Sequence, residues 1–268
     1  MSRLVTCTDQ LKQNNRKALV CYLVCGDPYP SATLHCMREM AASGVDIIEL
    51  GIPFSDPMAE GPVIQRGHER ALRHNISLQN TIDQVREFRK NNQTTPVILM
   101  GYANPIEQYG YEAFSLAAMQ AGIDGVIVVD LPPEEASSLN QAMDQRGLHN
   151  IFLVAPTTSY NRAQMIFSKA SGFVYYVSLK GVTGAGHIDV SDVKLMYNRF
   201  KELSNTPLYV GFGIKDAEVA QKIAEFSDGI VIGSAIVETM GKMDAHNETE
   251  IAASVGNFVR SIRSAIDK

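Results

Sequence analysis

The chain has 268 residues, of which 45% are hydrophobic and 20% are charged, and its formal net charge is −5. This balance is typical of a globular protein and excludes a disordered chain, a coiled coil and a collagen-like fibre. The sequence contains no dense Lys/Arg run, which argues against a nucleic-acid-binding protein, and no apolar stretch long enough to predict a membrane span.

The amino-terminal segment and the cysteines indicate where in the cell the protein is located. The first 17 residues, MSRLVTCTDQLKQNNRK, contain no apolar segment of the kind found in secretion signals. Cys7, Cys21, Cys25 and Cys36 form no CxxC pair and fit free thiols in a reducing compartment better than a disulfide framework. The sequence therefore predicts a cytoplasmic protein.

Eight short apolar runs follow one another along the chain, each bounded by Gly, Pro or Asp. Runs of this kind, often β-branched, are typical of strands buried on both faces of a parallel sheet. They are ALVCYLVC (18–25), DIIEL (46–50), PVILM (96–100), GVIVV (125–129), NIFLV (150–154), FVYYV (173–177), PLYVG (207–211) and GIVIG (229–233).

Amphipathic patterns between the runs predict helices. They cover residues 31–42, 78–90, 111–121, 134–146, 160–170, 192–203, 216–226 and 250–266. Four polar residues are predicted to cap helices that begin beside them, namely Ser31, Ser77, Ser159 and Asp216.

Strand followed by helix, repeated eight times, predicts a (β/α)8 TIM barrel in one domain spanning residues 1–268. A doubly wound open sheet is the alternative, but its Gly-x-Gly-x-x-Gly turn is absent, and Cys25-Gly26-Asp27-Pro28 follows the first run. The loops at 51–67 and 178–190 are long, and loops after barrel strands carry active sites.

Two carboxyls are candidates for proton transfer. Glu49 lies inside the second run, on the same face as Ile47. A carboxyl that faces a barrel interior is desolvated, so its pKa rises and it can exchange a proton near neutral pH. Glu60 follows in the next loop, and two carboxyls in different environments can divide acid and base roles. The alternatives are a Glu49 paired with Lys or Arg and a solvated Glu60.

Glycines after the last two runs predict a phosphate site. Gly211-Phe212-Gly213 ends the seventh run, and Gly233-Ser234 ends the eighth and opens a short helix, SAIVETM. Barrels often hold phosphate with backbone amides and a helix N-terminus at this place. Gly181-Val182-Thr183-Gly184 is predicted to close a third side. Ordinary strand-to-helix turns are the alternative.

Apolar and aromatic residues near the strand ends predict a pocket for a flat apolar ligand, with plain barrel core as the alternative for the aliphatic ones. They are Tyr22, Met100, Tyr102, Val129, Ile151 or Leu153, Tyr175 and Phe212. The six histidines lack metal-ligand spacing, and Lys180 is interpreted as a solvated loop residue rather than a Schiff-base lysine.

The segment ELGIPFSDPMAEGP (49–62) resembles the signature of the tryptophan synthase α-subunit family. Further matches follow the same order and spacing over nearly the whole chain. They are GDP (26–28), YANP (102–105), GVTG (181–184), GFGI (211–214) and GSAIV (233–237).

This resemblance implies a lyase of tryptophan biosynthesis that cleaves indole-3-glycerol phosphate into indole and glyceraldehyde 3-phosphate. Glu49 is then the acid–base residue, Glu60 accepts a hydrogen bond from the indole N–H, and Tyr175 lies against the ring. The implied phosphate ligands are the amides of Gly184, Phe212, Gly213, Gly233 and Ser234. The implied indole pocket is lined by Tyr22, Met100, Tyr102, Val129 and Phe212.

The resemblance also implies a partner. Indole passes to a β subunit that carries pyridoxal phosphate, within an α2β2 heterotetramer, while this chain holds neither cofactor nor metal. The loops at 53–60 and 178–190 are expected to close over the site and face that subunit. The residues implied to face it are Pro53, Asp56, Asn104 and Thr183.

The chain departs from the family pattern in three places. Glu60 stands where Asp is expected, Tyr22 stands where Phe is expected and adds a hydroxyl that needs a partner, and Leu179-Lys180 precede GVTG in place of other residues. Three other functions stay open at this point: another phosphate-binding barrel of the same pathway, a stand-alone indole-releasing lyase, and a non-catalytic partner that activates a β subunit.

Overall fold

A computed structural model describes residues 2–178, 189–211, 213–242 and 247–268 of the chain. Within these ranges, nine parallel strands form one sheet. They are β1 (Ala18–Val24), β2 (Ile47–Gly51), β3 (Val97–Gly101), β4 (Gly125–Val128), β5 (His149–Asn150), β6 (Phe152–Val154), β7 (Val174–Val177), β8 (Leu208–Gly211) and β9 (Gly229–Ile232).

The sheet closes into a barrel through a broken strand. Its strand order is β5-β4-β3-β2-β1-β9-β8-β7-β6, so β5 and β6 lie at the two ends of the order. These strands cover the fifth apolar run and His149 before it, with an interruption at Ile151, and they pair with β4 and β7 respectively. The eight predicted runs thus occupy eight barrel positions, and the predicted (β/α)8 fold is confirmed.

Helices surround the barrel. In the described ranges they are α1 (Arg3–Gln13), α2 (Pro30–Ala42), α3 (Pro62–Leu72), α4 (Leu78–Arg89), α5 (Ala103–Tyr109), α6 (Tyr111–Ala121), α7 (Ser137–Asp144), α8 (Tyr160–Lys169), α9 (Val190–Lys201), α10 (Ala217–Ala224), α11 (Ser234–Lys242) and α12 (Glu248–Ile266). None of these helices is long and apolar enough to cross a bilayer. All four cysteine thiols are free, as predicted.

Three of the four predicted helix caps are confirmed. Ser77, Ser159 and Asp216 each accept a hydrogen bond from the backbone N–H three residues further on. The cap at Ser31 is wrong, because α2 begins one residue earlier, at Pro30, whose fixed φ suits the first helical position. The Ser31 hydroxyl instead donates to Glu248 on α12.

The loop predicted at 51–67 is shorter than expected. It ends at Gly61, because Pro62 opens α3 in the same way that Pro30 opens α2. The helix carries His68 inward, with 2% of its surface exposed. The proline was the signal in the sequence that could have predicted this helix.

Alternate strand residues fill the barrel interior, as period-two geometry requires. The inner cluster includes Val20, Ile47, Ile98, Ile127, Ile151, Tyr209 and Val231. Leu4 and Leu11 of α1 join this cluster. Because Arg3 of the same helix pairs with Asp124 just before β4, α1 covers the end of the barrel at which the strands begin.

Aspartates fasten the strands at that same end. Asp46, Asp124 and Asp228 directly precede β2, β4 and β9, and each accepts a hydrogen bond from a backbone N–H of the neighbouring strand. The donors are Leu19, Val97 and Leu208, each at 2.8 Å. The carboxylates therefore bind the start of one strand to the start of the next.

Asp124 is the most heavily bonded of the three. It is 4% exposed, and its carboxylate also accepts from Arg3 Nε at 2.9 Å and Arg89 Nη2 at 2.8 Å. Burial nevertheless raises its pKa. Such a pair adds little net stability compared with an apolar contact, but losing one partner leaves the other charge buried and unpaired.

We expect Asp124→Ala to lower the free energy of unfolding by about 3–5 kcal/mol, because Arg89 and the Val97 N–H lose their acceptor. Urea denaturation measures this loss. The matched control is Asp83→Ala, since Asp83 forms an exposed pair with Arg86 on one helix, and such pairs contribute about 0.5 kcal/mol or less. Equal losses in the two variants would contradict the assigned role of Asp124.

Candidate active site

Glu49 is a buried carboxyl in the barrel wall. It lies in β2, in register with Tyr22 of β1 and Ile98 of β3, and its side chain is 1% exposed. Among the described residues, Glu49 Oε2 has no hydrogen-bond partner, and no Lys or Arg forms an ion pair with the carboxyl. Burial raises its pKa to about 8, and the charge of Glu60 acts in the same direction. The carboxyl is therefore protonated at neutral pH.

Glu60 lies near the end of the loop between β2 and α3, and it is also buried rather than solvated. It is 9% exposed, and burial raises its pKa to about 7. Its backbone is fixed on both sides: the N–H donates to the Pro57 carbonyl at 3.0 Å, and the carbonyl accepts from Gln65 Nε2 at 2.9 Å. The loop thus holds a second carboxyl close enough to influence the first.

Two tyrosines of the barrel wall face these carboxyls. Tyr22 is 3% exposed and Tyr175 is 8% exposed. Each hydroxyl lies over a glycine of a neighbouring strand: a Cβ at Gly51 would be 2.3 Å from the Tyr22 oxygen, and one at Gly211 would be 2.4 Å from the Tyr175 oxygen. Burial and the two carboxyls raise the pKa of both tyrosines well above its usual value, so both stay neutral.

The Tyr22 hydroxyl finds its partner in His68. Its oxygen lies 3.3 Å from His68 Nε2, and His68 Nδ1 accepts from the Phe54 N–H at 3.1 Å. Burial lowers the pKa of His68 to about 4, so the ring is neutral. Sequence reasoning missed His68, because it tested the histidines only as metal ligands. The hydroxyl that Tyr22 adds to the pocket was the signal that could have found it.

Tyr102 anchors the loop between Glu49 and Glu60. Its ring stacks on that of Phe54, with centroids 4.9 Å apart, and its hydroxyl oxygen accepts from the Ala59 N–H at 3.1 Å. Glu60 follows Ala59 directly. The position of the second carboxyl therefore depends on contacts that Tyr102 makes at both ends of the loop.

The predicted phosphate residues lie partly inside the described chain. Gly213 has φ +80°, a left-handed conformation that favours glycine, and Gly233 precedes Ser234, the first residue of α11. Because β8 and β9 are neighbours, both glycines lie at the same end of the barrel. The first amides of α11 have no partner within the helix and point toward that end. Phe212, Thr183, Gly184 and Lys180 lie outside the described residues.

The remaining predicted residues divide by exposure. Tyr102 is buried, and Met100 and Val129 are half-buried and pack against the inner cluster. Of the residues implied to face a partner, Pro53 is buried. Asp56 and Asn104 are exposed. Met58, between Asp56 and Glu60, is 77% exposed. Within the described ranges, no cluster of three or more His, Cys, Asp or Glu side chains forms a metal site.

Comparisons with known proteins identify relatives of this chain. A family model described as "Tryptophan synthase alpha chain" matches residues 8–266. The tryptophan synthase alpha chain of Nitrosomonas europaea is 49% identical over 267 residues, which is 100% of this chain and 96% of that one. The corresponding chain of Legionella pneumophila strain Lens is 48% identical over 100% of this chain and 98% of that one.

Solved structures match over the same length. The crystal structure of tryptophan synthase subunit alpha from Legionella pneumophila strain Paris is 46% identical and covers 100% of this chain and 99% of its own, with a TM-score of 0.91. Tryptophan synthase from M. tuberculosis, in an aminoacrylate-bound form, is 32% identical over 99% and 100%, with a TM-score of 0.87. The chain therefore belongs to the tryptophan synthase alpha chain family, lyases that cleave indole-3-glycerol phosphate in tryptophan biosynthesis.

Proposed function

We propose that Glu49 is the general acid and base of the cleavage. The observation that carries this assignment is a carboxyl that is 1% exposed, lacks a paired cation among the described residues, and has its pKa raised to about 8. A group whose pKa lies near the working pH both gives and accepts a proton readily.

One carboxyl accounts for both proton transfers. Protonated Glu49 gives its proton to indole C3, and the ring nitrogen then carries the positive charge. The Glu49 carboxylate next removes the proton of the glycerol hydroxyl on the carbon bonded to C3. The bond between the two carbons breaks, its electron pair returns to the indole ring, and the hydroxyl carbon becomes the aldehyde of glyceraldehyde 3-phosphate. Glu49 ends protonated, ready for another turnover.

Glu60 stabilises the intermediate of this sequence. Its carboxylate accepts the hydrogen bond of the indole N–H as positive charge develops on the nitrogen, and a charge that is fixed in place before the reaction acts strongly there. Tyr175 lies against the ring near Glu49. The indole pocket is completed by Tyr22, Met100, Tyr102, Val129 and Phe212.

The phosphate binds across the mouth of the barrel from Glu49. The proposed ligands are backbone amides of Gly184, Phe212, Gly213, Gly233 and Ser234. The left-handed turn at Gly213 and the start of α11 at Ser234 support this assignment, because a helix N-terminus attracts an anion.

The chain acts with a β subunit that carries pyridoxal phosphate, and it needs no cofactor of its own. We assign an α2β2 complex in the cytoplasm, built on a single domain of residues 1–268. The exposed Asp56 and Asn104 face the β subunit, Thr183 is assigned beside them, and the buried Pro53 supports the same loop from beneath. Sedimentation of the chain mixed with that subunit measures the stoichiometry, and a complex smaller than α2β2 would contradict it.

We expect Glu49→Gln to lower kcat for indole release by at least about 10²-fold, since the amide neither donates nor removes the required protons. Indole is measured after mixing the full chain with indole-3-glycerol phosphate. Glu112→Gln is the matched control, because Glu112 is 67% exposed and pairs with Arg146 on the outside of the barrel. A Glu49→Gln variant as fast as this control would overturn the acid–base assignment.

We expect Glu60→Asp to keep activity within about tenfold of the natural chain, since the charge remains and only the stem shortens. Glu60→Ala loses the charge beside the ring nitrogen, and kcat falls about 10²- to 10³-fold. Steady-state kinetics of both variants under one set of conditions test this. Equal activity in the Ala variant and the natural chain would reduce Glu60 to a loop residue.

A further inference from the structure

His68 is a buried polar residue that the proposed reaction does not use. It lies on α3 and is 2% exposed. Its two ring nitrogens contact two different elements of the site, the Tyr22 hydroxyl of β1 and the Phe54 N–H of the following loop. A single ring therefore joins the strand beside Glu49 to the loop that carries Glu60.

The hydrogen-bond pattern fixes the tautomer of His68. Phe54 N–H can only donate, so Nδ1 is the acceptor and carries no hydrogen. In the neutral ring, Nε2 then bears the hydrogen and donates it to the Tyr22 oxygen at 3.3 Å. The hydroxyl hydrogen of Tyr22 is consequently left for a different acceptor.

The charged groups around Tyr22 indicate which acceptor that is. The carboxyls that act on its hydroxyl are Glu60, Glu49 and Asp27, in decreasing order. Asp27 is already held by Arg70, through bonds of 2.6 and 2.9 Å. Glu60 and Glu49 form no ion pair within the described ranges, so either carboxyl is free of a cation and can accept the hydroxyl hydrogen.

The loop contact acts on Glu60 by a second route. His68 holds the Phe54 backbone, the Phe54 ring stacks on Tyr102, and Tyr102 accepts from the N–H of Ala59. Glu60 is the next residue. Losing the contact between His68 and Phe54 would release the first member of this chain of contacts.

We propose that His68 is a positioning residue for the cleavage, one that orients the Tyr22 hydroxyl toward Glu60 and fixes the loop on which Glu60 lies. Two departures from the family pattern, Tyr22 and Glu60, then form one adaptation, in which the added hydroxyl orients the longer carboxylate stem. This inference deepens the proposed function, since it depends on Glu60 acting in the reaction.

Variants at position 68 separate the two contacts. The Oδ1 atom of Asn takes the place of Nδ1, so His68→Asn keeps an acceptor for Phe54 N–H and loses the donor to Tyr22. The Nε2 atom of Gln takes the place of the imidazole Nε2, so His68→Gln keeps the donor and loses the acceptor. His68→Leu loses both contacts. Tyr22→Phe removes the hydroxyl and keeps the ring.

We expect kcat to fall about three- to tenfold in Tyr22→Phe and in His68→Asn, with KM nearly unchanged, because one hydrogen bond is lost while the proposed phosphate ligands, which are backbone amides, are unchanged. In His68→Leu, which also loses the contact with the loop, kcat falls up to about 10²-fold. In the double variant Tyr22→Phe/His68→Asn, kcat falls no further than in either single variant, because both changes remove the same hydrogen bond between positions 22 and 68.

A double-mutant cycle that combines Tyr22→Phe with Glu60→Asp tests the proposed adaptation directly. In the natural chain, Glu60→Asp moves the carboxylate away from the Tyr22 hydroxyl. In the Tyr22→Phe background the same change has a smaller effect on kcat, because the hydroxyl is already gone. Equal effects of Glu60→Asp in both backgrounds would overturn the proposed coupling.

Folding is measured alongside by thermal unfolding, with His35→Leu, on the exposed face of α2, as the matched histidine control. If His68→Leu does not fold, the Asn, Gln and Phe variants decide. Folded variants with natural kcat would overturn the inference and leave the role of Glu49 untouched. Full activity in Glu49→Gln would instead overturn the proposed function.

Discussion

The site depends on the desolvation of one carboxyl. Glu49 lies in the wall of the barrel without a paired cation among the described residues, and burial keeps it protonated to about pH 8. A glutamic acid side chain exposed to water could not protonate an indole carbon at neutral pH, because it would already be ionised. The apolar strands that build the barrel therefore also create the acid.

The barrel holds its buried carboxyls in two opposite ways. At the end where the strands begin, Asp124 is buried and bonded to two arginines and a backbone N–H, which fastens neighbouring strands. Where the strands end, Asp27 is paired with Arg70, whereas Glu49 and Glu60 are buried without a paired cation among the described residues, and burial raises their pKa values to about 8 and about 7. The first arrangement holds a charge in place, whereas the second keeps a proton available. This division agrees with the general separation of stability and catalysis in such barrels.

The sequence was sufficient for the barrel because each strand is a short apolar run whose length and borders are local properties. It was insufficient where contacts join distant residues. The bond between Tyr22 and His68 spans 46 positions, and the burial of Glu60 depends on Tyr102 holding Ala59. No periodic pattern records such contacts. Helix α3 differs from the sequence prediction for another reason, because Pro62 falls inside the loop predicted at 51–67 but opens a helix. The roles of Gly184 and Phe212 stay predictions.

The protonation of Glu49 is measured most directly by infrared difference spectroscopy of the natural chain against Glu49→Gln across a pH series. The protonated carboxyl has a C=O band separate from that of the carboxylate, so its loss reports the titration of this single group. We expect this band to persist through neutral pH and to be half lost near pH 8, because burial raises the pKa of Glu49 to about 8. A band already lost near the ordinary glutamate value, about pH 4.5, would contradict it.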